Sequence, residues 1–153
     1  MAREPYCEVR RLGADDIGLF HEMLAMFGAA FEEPATYTGS PPGERYVRDL
    51  LAADGFIALA AVKDETVVGG LAAYVLRKFE KERAEIYVYD LAVALPHRRR
   101  GVATALLDAV VRIAEACGAH AVFVQADLGD GPAIALYGGR GRREDVLHFD
   151  LDL

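Results

Sequence analysis

Between Glu85 and Val93 the aliphatic residues change parity. Ile86 and Val88 stand at even positions, Leu91 and Val93 at odd ones. Side chains of a strand alternate faces with period 2, so a regular strand cannot put all four on one side. Either the strand is buried on both faces, where parity carries no meaning, or one extra residue enters near Tyr89–Asp90 as a β-bulge. Asp90 weighs against the first alternative, because a carboxylate among apolar residues needs a partner or a task. A bulge splays neighbouring strands and frees backbone N–H and C=O groups. Such groups can pair with an extended amide ligand as they would with another strand.

A basic turn follows this strand. Arg98-Arg99-Arg100-Gly101-Val102-Ala103-Thr104 opens a helix. Small residues at 101 and 103 let a phosphate approach the backbone, and the first free N–H groups and the dipole of the helix favour an anion. Three arginines add charge-assisted donors. The plainer reading is a solvated basic turn in an acidic chain. The pattern is neither a P-loop, which ends in Gly-Lys-Ser/Thr, nor GxGxxG, so a dinucleotide site of the Rossmann kind is not expected.

The remaining periodicities frame these two features. Cys7–Leu12 reads as a short strand. Ile17, Phe20, Leu24, Phe27 and Phe31 recur at helical spacing, with Asp15 or Asp16 as cap. Thr38-Gly39-Ser40-Pro41-Pro42-Gly43 is a surface loop, and Tyr46, Leu50 and Leu51 suggest a second, shorter helix. Phe56–Val62 and Val67–Leu76 are strands joined by a Lys63-Asp64-Glu65-Thr66 turn, and Ala84–Leu95 is a third. Leu106, Val110, Ile113 and Cys117 stripe the next helix, which Gly118 ends. His120–Ala126 has the continuous apolar pattern of a strand covered on both faces. Asp130–Gly138 reads as a helix and Glu144–Leu151 as a closing strand. The order β-α-α-β-β-β-α-β-α-β implies one α/β domain over residues 1–153, with a mixed sheet antiparallel at its start and parallel at the crossover helix.

Charge and composition narrow the function. With 17 Lys and Arg against 24 Asp and Glu, the net charge is −7. That disfavours a nucleic-acid partner and suits a cationic small molecule. The longest apolar stretches are strand-sized, and the N-terminus carries no signal-type run, so no membrane span and a cytoplasmic location are expected. Cys7 and Cys117 form no CxxC pair, and Cys117 reads as a buried free thiol. The four histidines lack ligand spacing, so no metal is expected.

Strand, bulge, Arg98-x-x-Gly101-x-Ala103 and helix together resemble the pyrophosphate signature of the GNAT superfamily of acetyl-CoA-dependent N-acetyltransferases. Asp130-Gly131-Pro132-Ala133-Ile134-Ala135-Leu136-Tyr137 followed by Gly141 is similar to the superfamily's late helix with its acid tyrosine. The resemblance is closer still to the type I aminoglycoside 3-N-acetyltransferases, which modify gentamicin. It extends over Phe56-Ile57-Ala58-Leu59-Ala60-Ala61, Leu71-Ala72-Ala73-Tyr74-Val75-Leu76, Glu85–Val93, Val124-Gln125-Ala126-Asp127 and His148-Phe149-Asp150.

The resemblance implies a GNAT fold with a bulged central strand and acetyl-CoA as co-substrate. The pantetheine arm is expected to pair with backbone at Leu91, Ala92 and Val93. The pyrophosphate would sit on Arg98, Arg99, Arg100, Gly101, Val102, Ala103 and Thr104, with Asp130 and Ala133 as further coenzyme contacts. The amine would attack the thioester directly in a ternary complex.

That chemistry needs a proton acceptor for the ammonium, donors for the oxyanion and a proton for the thiolate. Asp90 is the base candidate or amine anchor, with Glu85 and Tyr87 as fallbacks working through water, the Leu91 N–H the oxyanion donor and Tyr137 the acid. A polycationic acceptor calls for carboxylates, for which Asp127, Asp150 and Asp152 are candidates, and the Tyr37 loop is placed to close over it. A GNAT enzyme for another amine (a polyamine or a protein N-terminus) and a non-catalytic acyl-CoA-binding module are the alternatives. A homodimer is compatible with all three.

Overall fold

The computed structural model describes residues 4–153. Two compact units are present, one running to Phe123 and the other Val124–Leu153. The first contains β1 (Glu8–Arg11), α1 (Ile17–Ala30), α2 (Pro34–Thr38), α3 (Glu44–Ala52), β2 (Phe56–Lys63), β3 (Thr66–Arg77), β4 (Ala84–Val93) and α4 (Val102–Cys117). A 3-10 turn, Leu95–His97, lies between β4 and α4. β5 (Ala121–Val124) follows α4, and α5 (Gly131–Gly138) belongs to the second unit. The sheet order is β1-β2-β3-β4-β5. The first four strands pair antiparallel, and β5 joins β4 after the α4 crossover, completing a mixed sheet.

The sheet is covered on both faces. Phe20, Met23, Met26 and Phe27 of α1 and Val47 and Leu51 of α3 pack with Phe56, Ala58, Ala60 and Val62, the even positions of β2. The odd positions Ile57, Leu59 and Ala61 are equally buried, as period 2 requires of a central strand. Gly69 and Gly70 show how close the helices come. A side chain at Gly70 would strike Met23 on one face, and one at Gly69 would strike Val102 of α4 on the other, each at 2.7 Å. The β2–β3 turn takes left-handed backbone at Asp64 (φ 48°) and Glu65 (φ 61°), the two-residue geometry whose twist suits a hairpin.

Five sequence-based expectations need correction. Asp16 begins α1, but its carboxylate accepts from the Gly13 N–H at 2.7 Å and caps no helical N–H. The short helix α3 forms as expected, burying Val47 and Leu51 with Leu50 packed beside them and leaving Tyr46 65% exposed. Tyr37 sits on the short helix α2, started by Pro34, rather than on a loop. Cys117 is exposed, because burial along α4 ends at Ala114. β5 is only half-buried and shorter than expected, and residues 144–151 form no strand. Leu147, Phe149 and Leu151 keep the period-2 stripe yet stand exposed, since alternation provides a face and not a pairing partner.

Candidate active site at the β4 bulge

In the register of β3 with β4, Ala72 faces Asp90 and Ala73 faces Val88. Tyr89 is the extra residue. Before the bulge Ile86 and Val88 point to the α4 face. After it Leu91 and Val93 do, opposite Leu71 and Gly69. The parity change is thus a bulge, and it turns Asp90 to the α1 face.

Asp90 is half-buried there, and the Tyr37 hydroxyl donates to its Oδ2 at 2.9 Å. Burial pushes the Asp90 carboxyl above its ordinary value. The Tyr37 hydrogen bond opposes that shift, and the charge of Glu33 adds to it. The Tyr37 phenol is itself raised well above the usual range, first by burial and then by Asp90, so it stays a protonated donor. α2 brings Tyr37 to this position by packing it against Phe27 and Phe31, with ring centroids 5.8 and 5.7 Å away.

The expected site residues fall into separate places. Tyr87 lies beside the bulge, 5.7 Å from the Tyr89 ring and stacked on Phe123 at 4.7 Å. Glu85 does not share the site. It lies about 15 Å up the strand from Asp90, bound to His120 at 3.1 Å and near Lys78 at 3.6 Å. Tyr74, Tyr89 and Glu33 were not singled out from sequence. Tyr74 lies opposite Tyr87 in the hairpin register, so extending the period-2 count from aliphatic to aromatic residues would have found it.

Beyond the bulge β4 outruns its neighbour. β5 starts beside Ala84, whose carbonyl accepts from the His120 N–H at 2.9 Å. Its four residues reach ~13 Å along the ~33 Å of β4. The strand segment Leu91, Ala92 and Val93 therefore extends past β5 and leads into the basic turn. There Arg98 Nε donates to the Val93 carbonyl at 2.9 Å, which uses one of the five guanidinium donors and ties the turn to the strand end.

The turn presents an anion-binding backbone. Arg99 (φ 62°) and Gly101 (φ 83°) are left-handed, and Gly101 is the N-cap of α4 with no side-chain cap. The N–H groups of Val102, Ala103 and Thr104 precede the first helical bond, Ala105 N–H to Gly101 O at 3.0 Å. A side chain at Gly101 would meet no atom within 4 Å, so the approach to these donors is open. Donors, dipole and arginines fit a pyrophosphate. Arg100 also lies 5.9 Å over the Tyr6 ring.

In the second unit, Asp130 caps α5 by accepting from the Ala133 N–H at 3.1 Å, and Tyr137 is in the last turn of that helix. Asp127, Asp150 and Asp152 are exposed, and Asp150 accepts from or pairs with His148 at 2.9 Å. Among the described residues no cluster of metal-ligating side chains is present, and no helix is long and apolar enough to cross a membrane.

Residues 20–141 match the family model described as acetyltransferase (GNAT) family. The chain belongs to the GNAT acetyltransferase family. A GNAT domain implies acetyl-CoA as co-substrate, and the turn at the start of α4 has the donor set for its pyrophosphate. Among solved structures, the chain is 52% identical to the aminoglycoside acetyltransferase HMB0005 from an uncultured soil metagenomic sample. That match covers 96% of this chain and 98% of the other at a TM-score of 0.95. It is 31% identical to the aminoglycoside acetyltransferase meta-AAC0020, also from an uncultured soil metagenomic sample and solved in complex with sisomicin. There 97% of each chain is covered, at a TM-score of 0.89. A ribosomal-protein-alanine N-acetyltransferase from Brucella melitensis biovar Abortus 2308, 23% identical with a TM-score of 0.75 over 96% of this chain and 99% of the other, shares the fold. No curated protein matches the chain.

Proposed function

We propose that this GNAT protein, acting as one domain over residues 1–153 in the cytoplasm, transfers acetyl from acetyl-CoA to the 3-amino group of an aminoglycoside of the gentamicin type. The observation that carries the reading is a half-buried carboxylate, Asp90, at the bulge of a GNAT strand, in a chain 52% identical to an aminoglycoside acetyltransferase. Asp90 accepts the ammonium proton. Its raised affinity for protons brings it closer to that task than an ordinary surface aspartate. The deprotonated amine then attacks the thioester carbonyl directly. The Leu91 N–H receives the developing oxyanion, and Tyr137 supplies the thiolate proton on the family's pattern.

On the same pattern, backbone at Leu91, Ala92 and Val93 pairs with the pantetheine amides, and residues 98–104 hold the pyrophosphate. Asp130 and Ala133 serve the coenzyme, the former while capping its helix. Tyr37 and Tyr87 adjoin the reacting amine; Asp127, Asp150 and Asp152 offer negative charge to a polycationic acceptor. Glu85 is withdrawn as an alternative base, because its carboxylate is engaged by His120 and Lys78.

A thiol-release assay with acetyl-CoA is expected to respond to gentamicin, and NMR of the product to place the acetyl group on the 3-amine of the deoxystreptamine ring. Acetyl on another amine overturns the regiochemistry. Stimulation by polyamines or peptides instead of gentamicin overturns the substrate class, and binding of coenzyme without turnover overturns catalysis.

Tyr37→Phe tests the environment of Asp90. The Tyr37 hydroxyl favours the ionised carboxylate, so its removal lets burial and Glu33 raise the Asp90 carboxyl further. A base works only when ionised. The acidic limb of the kcat–pH profile should therefore move to higher pH in the variant. A limb that stays in place separates Asp90 from the proton transfer.

A further inference from the structure

The bulge does more than place a carboxylate. Because one residue is extra, Tyr89 and Asp90, neighbours in sequence, both serve the α1 face. The Tyr89 ring lies 5.6 Å from Tyr74 and 5.7 Å from Tyr87, both edge-on. Asp90 reaches Tyr37 on the same side. The rings continue through Phe123, stacked on Tyr87 at 4.7 Å, while Phe56, 5.4 Å from Tyr74, belongs to the core behind them. Four aromatic rings thus form a wall across β3, β4 and β5, ending at the reactive carboxylate.

Aromatic rings in a fold are normally spent on the core. Here Tyr89 is 60% exposed and Tyr74 38% exposed, so the wall shows its surface to solvent beside a half-buried charge. Proton transfer to Asp90 does not require a ring at position 89. The face of an aromatic ring is electrically negative and attracts ammonium groups, while the C–H surface of a saturated ring packs flat against it. The titratable groups around this surface are Asp90, Glu33 and the phenols of Tyr37, Tyr46, Tyr74, Tyr87 and Tyr89. Burial raises the Tyr74 and Tyr87 phenols, and neighbouring Tyr89 and Asp90 raise both further, so they remain neutral. Neither they nor the carboxylates repel a cation.

We infer that Tyr74, Tyr87 and Tyr89 form the acceptor subsite, a wall on which an amino-substituted saturated ring lies with one ammonium over Tyr89 while the amine that reacts is held at Asp90. This assignment rests on the aminoglycoside reading above and deepens it. Because Tyr89 and Asp90 are adjacent, the arrangement favours acceptors with two amines close together on one ring. A monoamine gains only the carboxylate.

The test uses the full chain with sisomicin as acceptor, measuring kcat and KM for sisomicin and acetyl-CoA in Tyr89→Ala and Tyr89→Phe. Tyr89→Ala should raise the sisomicin KM by roughly 5- to 30-fold, the range of a partly desolvated cation–ring contact. The acetyl-CoA KM and kcat should stay within about twofold, as expected when ground and transition states lose the same contact. Tyr89→Phe keeps the ring and should behave as the unaltered protein. An unchanged sisomicin KM in Tyr89→Ala overturns the wall. So does an equal loss in both variants, which would assign the effect to the hydroxyl and not to the ring face. If the unaltered protein turns over no aminoglycoside, the proposed function fails and takes the subsite's ligand with it. If sisomicin is turned over and Tyr89→Ala is indifferent, the subsite fails alone.

Discussion

Asp90→Asn should lower kcat by ~10²–10⁴, the usual contribution of a positioned base, while the melting temperature at neutral pH rises. The two halves of this result have one cause. Burial raises the Asp90 carboxyl above its ordinary value, which means that the folded protein holds the charged form at a cost. For an acid whose folded pKa lies above its unfolded one, the folded state binds more protons across that window. Stability is therefore greatest below the unfolded value and falls as pH rises through the folded one. Wherever Asp90 is ionised the protein carries this cost, and asparagine removes it. Asparagine also keeps the shape and an oxygen that can accept from Tyr37, whose hydroxyl now donates to Oδ2 at 2.9 Å.

Kinetics and calorimetry together separate the roles open to Asp90. A base loses kcat. A group that only anchors the ammonium raises the aminoglycoside KM with a smaller change in turnover. A cap for the loose N–H groups of the bulge loses melting temperature and neither kinetic constant. Near-normal kinetics in a folded variant would remove Asp90 from the mechanism. The same comparison at pH 5 and pH 8 checks the linkage: the stabilisation by asparagine should shrink at the lower pH, where Asp90 is closer to protonation.

The bulge was legible in sequence because it is a matter of counting. Four aliphatic residues that must share a face and cannot do so in register demand one extra residue, and the structure puts it at Tyr89. The left-handed turn that opens α4 was legible for a related reason. Gly101 and Ala103 follow three arginines at a helix start, and the left-handed backbone there is the conformation glycine permits.

What surrounds Asp90 was less visible. Tyr37 lies 53 residues away in sequence and reaches the carboxylate only because Pro34 starts a short helix where a loop was expected. Glu85 has partners of its own that spacing did not reveal. Five residues from Asp90 in a strand is about 15 Å, far enough for Lys78 and His120 to take the carboxylate for themselves. Residues 144–151 show a third limit: alternation states which face of a segment is apolar, while pairing depends on an edge that the segment's own sequence does not describe.

Gly101→Glu should weaken acetyl-CoA binding by ~10²-fold or more, with two separable contributions. Gly101 has φ 83°, and a residue with a Cβ gains ~1–2 kcal/mol by leaving that left-handed conformation in the free protein, which coenzyme binding must then offset. The new carboxylate then faces the pyrophosphate expected at the start of α4. Two like charges ~6 Å apart at an effective dielectric near 20 repel by ~3 kcal/mol. Gly101→Ala isolates the first contribution, because an added Cβ would meet no atom within 4 Å. It should cost only about 5- to 30-fold, at ~1.4 kcal/mol per factor of ten. Raising the salt concentration should recover part of the loss in the glutamate variant and none in the alanine variant, since screening acts on charge and not on backbone strain. Calorimetric titration with acetyl-CoA reads all three constants. Equal affinities for the unaltered protein and Gly101→Glu would remove the pyrophosphate from this turn. Equal losses in the two variants would leave it there but reduce the contribution of charge to nothing.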